Sequence, residues 1–455
     1  MTREKGRLEE GALKQYEFLK AVESSARTYA ATFEQVFERG QGSRIWDSHG
    51  REVIDCLSCA GALALGHNHP EINEEIQRYF RSGQLQQALD LSTPAKCAFV
   101  EELFSLLPDE IASRAKIHFC GPGGSDAVEA AMKLARFATQ RQPIIAFRGA
   151  YHGMSSGALA AMGNTAFKAG IGIGPGAVHF APYPDRLHCP FGSDGRDTDL
   201  LAINYLETML TDPESGTTKP AAVIVEVVQG EGGCIPASVE WLRALRKLTA
   251  EHQVLLIVDE VQTGLGRTGR MFAFQHADIV PDIVVLSKAF GGGYPLAVIV
   301  YDKRLDVWPR GMHAGTFRGN QIAMIAGRAT MRIARRDRLD QRAEELGKVM
   351  AAGLEEIARR CPMIADVRGR GLMLGVEISR FGRGGRRGPE DGVLAERIRR
   401  AAFENGLLIE TGGRYGAVLR LLPPLIVSEE EIGAILDRLE RAMDGTERLG
   451  QVHAA

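Results

Sequence analysis

The chain carries no excess of either charge: 55 Lys and Arg stand against 57 Asp and Glu, a formal net charge of −2. Without a basic surplus there is no electrostatic case for a nucleic-acid or anionic-membrane partner. Long apolar runs are missing as well. None reaches the roughly 18 residues that would mark a membrane-crossing helix. The start, Met1-Thr-Arg-Glu-Lys-Gly-Arg-Leu-Glu-Glu10, lacks the apolar centre of a secretion signal. Cysteine is sparse and scattered, at positions 56, 59, 97, 120, 189, 234 and 361. That odd set argues against a disulfide framework and predicts reduced thiols in a cytoplasmic protein. Cys56-x-x-Cys59 has no second pair at metal spacing, and His67-Asn-His69 is equally isolated, so no metal site is expected.

At 455 residues the chain is long for one domain and suits a large domain with smaller appendages. From residue 115 onward, short apolar runs alternate with helical patterns. The runs are Lys116–Cys120, Ile144–Phe147, Ala222–Val228, Val254–Asp259, Ile283–Ser287 and Ala297–Tyr301. Continuous Val, Ile and Leu suit strands buried on both faces, as in a mostly parallel sheet. Ala127–Phe137 and Val239–Glu251 read as helices between them, so the fold class is α/β. Ahead of these, the apolar spacing over residues 15–40 predicts helix, and Ile45–Asp55 predicts a hairpin turning at His49-Gly50. After residue 330 come a charged helix over Met331–Glu356, the stretch Val367–Glu377, and helices over Val393–Asn405 and Glu429–Met443. The Gly/Arg-rich stretch Phe381–Pro389 reads as a surface loop rather than an RNA-binding element. The expected division is an N-terminal segment 1–85, a large domain 86–330 and a smaller α+β domain 331–455.

Two of the apolar runs end in charged residues. Leu-Leu-Ile-Val-Asp259 is followed 29 residues later by Lys288, in Leu-Ser-Lys288-Ala-Phe-Gly-Gly-Gly. Strand-end Asp and Lys on neighbouring parallel strands are what a pyridoxal 5′-phosphate site needs. The lysine amine bonds the cofactor aldehyde, and the carboxylate keeps the ring nitrogen protonated so that the ring withdraws electrons. Either residue alone is more often a solvated charge. Gly121-Pro-Gly-Gly124-Ser125-Asp126 lies between a strand and a helix, where glycines and free N–H groups accommodate an anion. Gly124 and Ser125 are therefore candidate phosphate ligands. The plainer reading is a good helix start, with Asp126 and Glu129 as a capping box. Tyr151 is placed to stack on a flat ring, with Val261 and Gln262 covering the other face and the ring hydroxyl.

These residues carry a family resemblance. The chain resembles the class III (ω-amino-acid) aminotransferases of pyridoxal-phosphate fold type I. The matching segments are Glu226-Val-Val-Gln-Gly-Glu231-Gly-Gly, Ile-Val-Asp259-Glu-Val-Gln262-Thr-Gly-Leu-Gly-Arg-Thr-Gly, Leu-Ser-Lys288, His313-Ala-Gly-Thr316-Phe-Arg-Gly-Asn320 and Arg368-Gly-Arg-Gly-Leu. The resemblance implies that Lys288 is the Schiff-base lysine, Asp259 the pyridinium partner and Tyr151 the stacking aromatic. It also implies that Thr316 reaches the phosphate of the other subunit's cofactor, in a homodimer with shared active sites. One departure stands out: the family's Ser-Gly-Thr at the phosphate loop reads Gly123-Gly124-Ser125 here.

The resemblance extends to two substrates in one site. Arg420 matches the arginine that binds the α-carboxylate of glutamate and 2-oxoglutarate, for which a planar guanidinium fork is suited. Glu231 is its expected partner, either as a switch that releases Arg420 or as a permanent ion pair. Within the family, Ser25–Tyr29, Leu57–Pro70, Gly149–Ser155, Tyr183-Pro and Cys189–Gly192 most resemble the diaminobutyrate–2-oxoglutarate aminotransferases. That implies L-2,4-diaminobutyrate and 2-oxoglutarate exchanging with L-aspartate 4-semialdehyde and L-glutamate. Another ω-amine (ornithine, 4-aminobutyrate, taurine or a natural-product intermediate) is the alternative, and a racemase or aminomutase a more distant one.

Overall fold

The computed structural model describes residues 11, 14–171, 177–192, 195–382 and 388–452. Residues 383–387, the centre of the Gly/Arg-rich stretch, lie outside the described residues. A seven-stranded sheet forms the heart of the fold. Its order is Ala115–Phe119, Val298–Asp302, Ile283–Leu286, Leu255–Asp259, Ala222–Val225, Ile144–Phe147 and Val178–Ala181. Only Val298–Asp302 runs against the rest. The four interior strands from Ile283–Leu286 to Ile144–Phe147 are buried at every residue, which is why they read as unbroken aliphatic runs. Helices Gly124–Thr139 and Val239–Glu251 pack on the sheet through Ala127, Ala131 and Leu134, and through Trp241, Leu242 and Leu245.

A second four-stranded sheet, Ile364–Arg370, Met373–Ile378, Val418–Leu421 and Glu410–Gly412, belongs to the C-terminal part. The hairpin Arg44–Asp47 and Glu52–Asp55 turns through Gly50 at φ +77°, a left-handed conformation that glycine adopts without strain. Its second strand then pairs with Leu407–Leu408. The N-terminal segment is thereby tied to the C-terminal part of the chain.

Three local expectations are corrected. Helical spacing over residues 15–40 does not persist: after a short turn at Tyr29–Thr32 the chain becomes the strand Phe37–Gln41. Phe33 and Phe37 share Phe403 as a packing partner, with ring centroids 5.1 and 6.2 Å away, and this tertiary contact overrides helix spacing. The charged helix over Met331–Glu356 is two helices, Gln321–Arg336 and Leu339–Arg360, broken where Arg338 turns to φ +49°. No Gly or Pro marks that break. The capping box of Asp126 and Glu129 does not form. Gly123 is the N-cap. Asp126 turns back to accept from Gly121 N at 2.5 Å, and Glu129 accepts from Gly157 N and Ala158 N, capping a different helix.

Candidate active site

In an open parallel sheet, ligands sit beyond the carboxyl ends of the strands. Five chain segments leave this sheet there. Phe119 leads to the loop 121–125, Phe147 to 149–153, and Val225 to Glu226; Asp259 leads to Val261 and Gln262, and Leu286 to Lys288. They converge on a cavity of about 290 Å³ lined by Gly124, Ser125, Tyr151, Asp259, Val261, Gln262 and Lys288, with Met154, Glu226 and Glu231 beside them. Seven of the eight expected cofactor ligands thus meet in one place. Thr316, the eighth, is exposed at the start of the turn Thr316–Gly319 and does not line this cavity.

Register places the central pair. Asp259 lies opposite Val285 on the neighbouring parallel strand, three residues before Lys288. Lys288 adopts φ +48° where the strand ends, a conformation that costs about 1–3 kcal/mol for a side chain and is held by its surroundings. Burial lowers its amine from the ordinary lysine range, while Glu231 and Asp259 pull in the opposite direction. An amine so placed is more readily neutral, as a nucleophile and a base must be.

Asp259 is fixed from behind. Its Oδ2 meets His152 Nδ1 at 2.7 Å, and its Oδ1 accepts from Val261 N at 3.0 Å. Burial opposes a charge on His152, but the hydrogen bond to Asp259 and the charges of Asp259 and Glu226 outweigh it and raise the imidazole. Glu226, buried against the same group, is pushed up to about 7, first by burial and then by Asp259, with His152 opposing. Its Oε2 accepts from Tyr151 N at 3.0 Å and so fixes the backbone at Tyr151. Neither His152 nor Glu226 was singled out from the sequence. Their neighbours in the motifs were the visible signal.

Arg420, fully buried, is gripped by two carboxylates rather than one. Nη1 lies 2.6 Å from Glu231 Oε1, and Nη2 lies 2.6 Å from Glu410 Oε2. The Glu410 contact is an aligned hydrogen bond. The Glu231 contact is close but misaligned, so that Nη1 and Nε have no aligned acceptor among the described residues. Burial alone would raise Glu231, yet Arg420 and Lys288 hold it down. Glu410 is shifted up, by burial first and by the charge of Glu231.

A family model, Aminotransferase class-III, matches residues 24–443. The chain is a class III aminotransferase. It is 52% identical over 437 residues to a diaminobutyrate–2-oxoglutarate aminotransferase of Rhizobium meliloti (strain 1021), covering 94% of this chain and 91% of the relative. It is 44% identical over 428 residues to the protein of that name from Haemophilus influenzae, covering 93% of each. A solved amine transaminase from an uncultivated Pseudomonas species, in its pyridoxal-phosphate-bound form, superposes with a TM-score of 0.84 at 27% identity, covering 93% of this chain and 98% of that one.

The cavity of this class III aminotransferase fits pyridoxal 5′-phosphate. Gly153 (φ +118°) lies against the phosphate loop so tightly that a Cβ there would fall 2.3 Å from Ser125 Cβ. At Gly124 a Cβ would come within 3.0 Å of Val261 Cγ1, so the loop packs directly on the residue after Asp259-Glu260. The 16-residue helix Gly124–Thr139 aims its free N–H groups at the same end.

Proposed function

We propose that the protein transfers the ω-amino group of L-2,4-diaminobutyrate to 2-oxoglutarate, giving L-aspartate 4-semialdehyde and L-glutamate. The carrying observation is the 52% identity, along nearly the whole chain, to a diaminobutyrate–2-oxoglutarate aminotransferase. The Lys288, Asp259 and Arg420 constellation supplies the chemistry. When bound, pyridoxal 5′-phosphate provides the electron-withdrawing ring that acidifies the carbon bearing the amine. Lys288 would bind the cofactor and then, through Nζ, move the proton at that carbon. Asp259, oriented by His152, would hold a proton on the ring nitrogen. Gly124 and Ser125 would hold the phosphate, with Tyr151 and Val261 on opposite ring faces and Gln262 at the hydroxyl.

Arg420 serves the second substrate. Glu231 neutralises it while the ω-amine is bound, then withdraws so that the guanidinium takes the α-carboxylate of glutamate or 2-oxoglutarate. Glu231 lines the cavity and is the more exposed of the two partners, at 31% of its side chain against 19% for Glu410, which supports it as the member that leaves. Replacing Glu231 by Ala is therefore expected to lower kcat/KM about 100-fold for the ω-amine half-reaction and less than 10-fold for glutamate, a split of charge-pair size. Equal losses in single-turnover kinetics would make the pair merely structural.

The working unit is proposed to be a homodimer in which Thr316 reaches the partner's phosphate site. Supporting this, Thr316 is exposed beside an apolar face that includes Phe317, Leu85, Leu89 and Leu91. Patches of this kind mark interaction surfaces. A cytoplasmic setting is supported by the free thiols of Cys56, Cys59, Cys97, Cys120 and Cys234. No helix among the described residues is long and apolar enough to cross a membrane.

The function is tested by adding L-2,4-diaminobutyrate alone to the purified holoenzyme. The expected result is loss of the pyridoxal absorbance band and rise of the pyridoxamine band, reversed by 2-oxoglutarate. Conversion by glutamate but not by diaminobutyrate would retain the aminotransferase and overturn its amine donor.

A further inference from the structure

The exchange of substrates on Arg420 needs one carboxylate, and the structure provides two. Glu410 is not consumed by the switch. It sits on the strand Glu410–Gly412, directly opposite Arg420 in register. One of its oxygens is held by Arg420, and the other accepts from Tyr29 Oη at 2.9 Å. With Glu231 counted, two carboxylates contact a single guanidinium, and Lys288 adds its charge on the Glu231 side. A further cation would find its carboxylate at Glu410.

Its position suits a ligand rather than a core ion pair. Arg420 is fully buried, but the side chain of Glu410 keeps 19% of its surface exposed and Tyr29 keeps 43%. Glu231 lines the cavity, and Arg420 joins it to Glu410 through two contacts of 2.6 Å. Contacts run from Glu231, which lines the cavity with Lys288, through Arg420 to Glu410 and Tyr29. A diamine that presents its terminal amine to Lys288 carries a second ammonium three bonds beyond the reacting carbon.

We infer that Glu410, oriented by the Tyr29 hydroxyl, receives the α-ammonium group of the ω-amine substrate and so determines the preference for a diamino acid. The inference rests on the diaminobutyrate reading above. It explains why a carboxylate stands where the glutamate half-reaction has no use for one. Tyr29 donates to Glu410 and keeps its oxygen lone pairs for the same ammonium. A partly desolvated carboxylate binds ammonium more strongly than one in water. 4-Aminobutyrate, which is diaminobutyrate without the α-amine, would miss this contact entirely.

The test compares kcat/KM for diaminobutyrate with kcat/KM for 4-aminobutyrate in the wild-type holoenzyme, Glu410→Gln and Tyr29→Phe. Glu410→Gln is expected to lower that ratio roughly 10- to 100-fold, the range for losing a hydrogen bond to a charged group. Tyr29→Phe should lower it several-fold, and it decides the matter if Glu410→Gln does not fold. A parallel reading needs no turnover: on a Lys288→Ala holoenzyme, the dissociation constant of diaminobutyrate, followed by cofactor absorbance, should rise by a similar factor with Glu410→Gln. If both substrates weaken together and the ratio holds, Glu410 only braces Arg420 and the inference is overturned. If the wild-type enzyme converts glutamate but not diaminobutyrate, it is the donor assignment that has failed, and the inference falls with it.

Discussion

Multiple-turnover transamination is expected to fall by about 10⁴-fold or more in Lys288→Ala, with the cofactor still retained. The magnitude follows from the role. A positioned general base contributes up to about 10⁴-fold, and this residue is also the cofactor's anchor. Retention follows from the geometry, because the Gly124–Ser125 loop, Asp259, Tyr151 and Val261 line the cavity independently of Lys288. The assay pairs steady-state turnover with the absorbance of cofactor that survives gel filtration. Adding a small primary amine such as methylamine should restore part of the rate in proportion to its concentration, since it replaces the missing base at the same point. Turnover near the wild-type level without added amine would remove Lys288 from the proton transfer. Loss of the cofactor together with the rate would show that the loop and Asp259 do not hold it unaided.

The parts of the site that were legible from sequence are those in which one residue at a strand end does one job. Asp259 and Lys288 each close an unbroken aliphatic run, because their strands are buried on both faces of the sheet. Gly124 and Ser125 begin a helix whose glycine-rich approach announces an anion site. The parts that were not legible depend on register between distant segments. Glu410 meets Arg420 across a hairpin, and Tyr29 reaches Glu410 from 381 residues away. No spacing rule contains those contacts. His152, next to Tyr151 in the chain, shows no role in the sequence, since only the folded chain brings its Nδ1 to Asp259.

The fold shows the same division. Interior strands were visible, but the edge strand Val178–Ala181 was not, because Val-His-Phe-Ala is only half-buried and offers no continuous apolar run. The helix break at Arg338 was hidden because its left-handed turn is taken by an arginine rather than a glycine. There the ion pairs of Arg336 with Glu71 and Asp337 hold the preceding turn. In each case tertiary contact decided what local pattern left open.

Arg420→Met should separate the electrostatic from the structural part of the site. Removing the guanidinium leaves Glu231 and Glu410 facing each other with no cation between them. Breaking a buried pair by deleting one partner costs about 3–5 kcal/mol. The lower end, about 3 kcal/mol, is expected here because Glu231 keeps 31% of its side-chain surface exposed. The sign with pH is then fixed. Glu410 is already shifted up and rises further without Arg420, while Glu231 loses the largest of the charges that hold it down. The folded state then holds more protons than the unfolded chain, so stability falls as pH rises and is recovered in acid. Thermal unfolding of Arg420→Met should accordingly approach wild type at about pH 5 and diverge from it at about pH 8, the range above the ordinary glutamate value of about 4.3. In single-turnover kinetics the glutamate half-reaction should lose about 10²–10³-fold in kcat/KM, the scale for removing a charged anchor from its carboxylate. The ω-amine half-reaction should lose less, since in it Arg420 is neutralised by Glu231 rather than bound to substrate. A pH-independent loss of stability would mean that the carboxylates turn out to solvent. In that event Glu410 could not be held where the diamine needs it, and both the switch and the α-ammonium site would fail together.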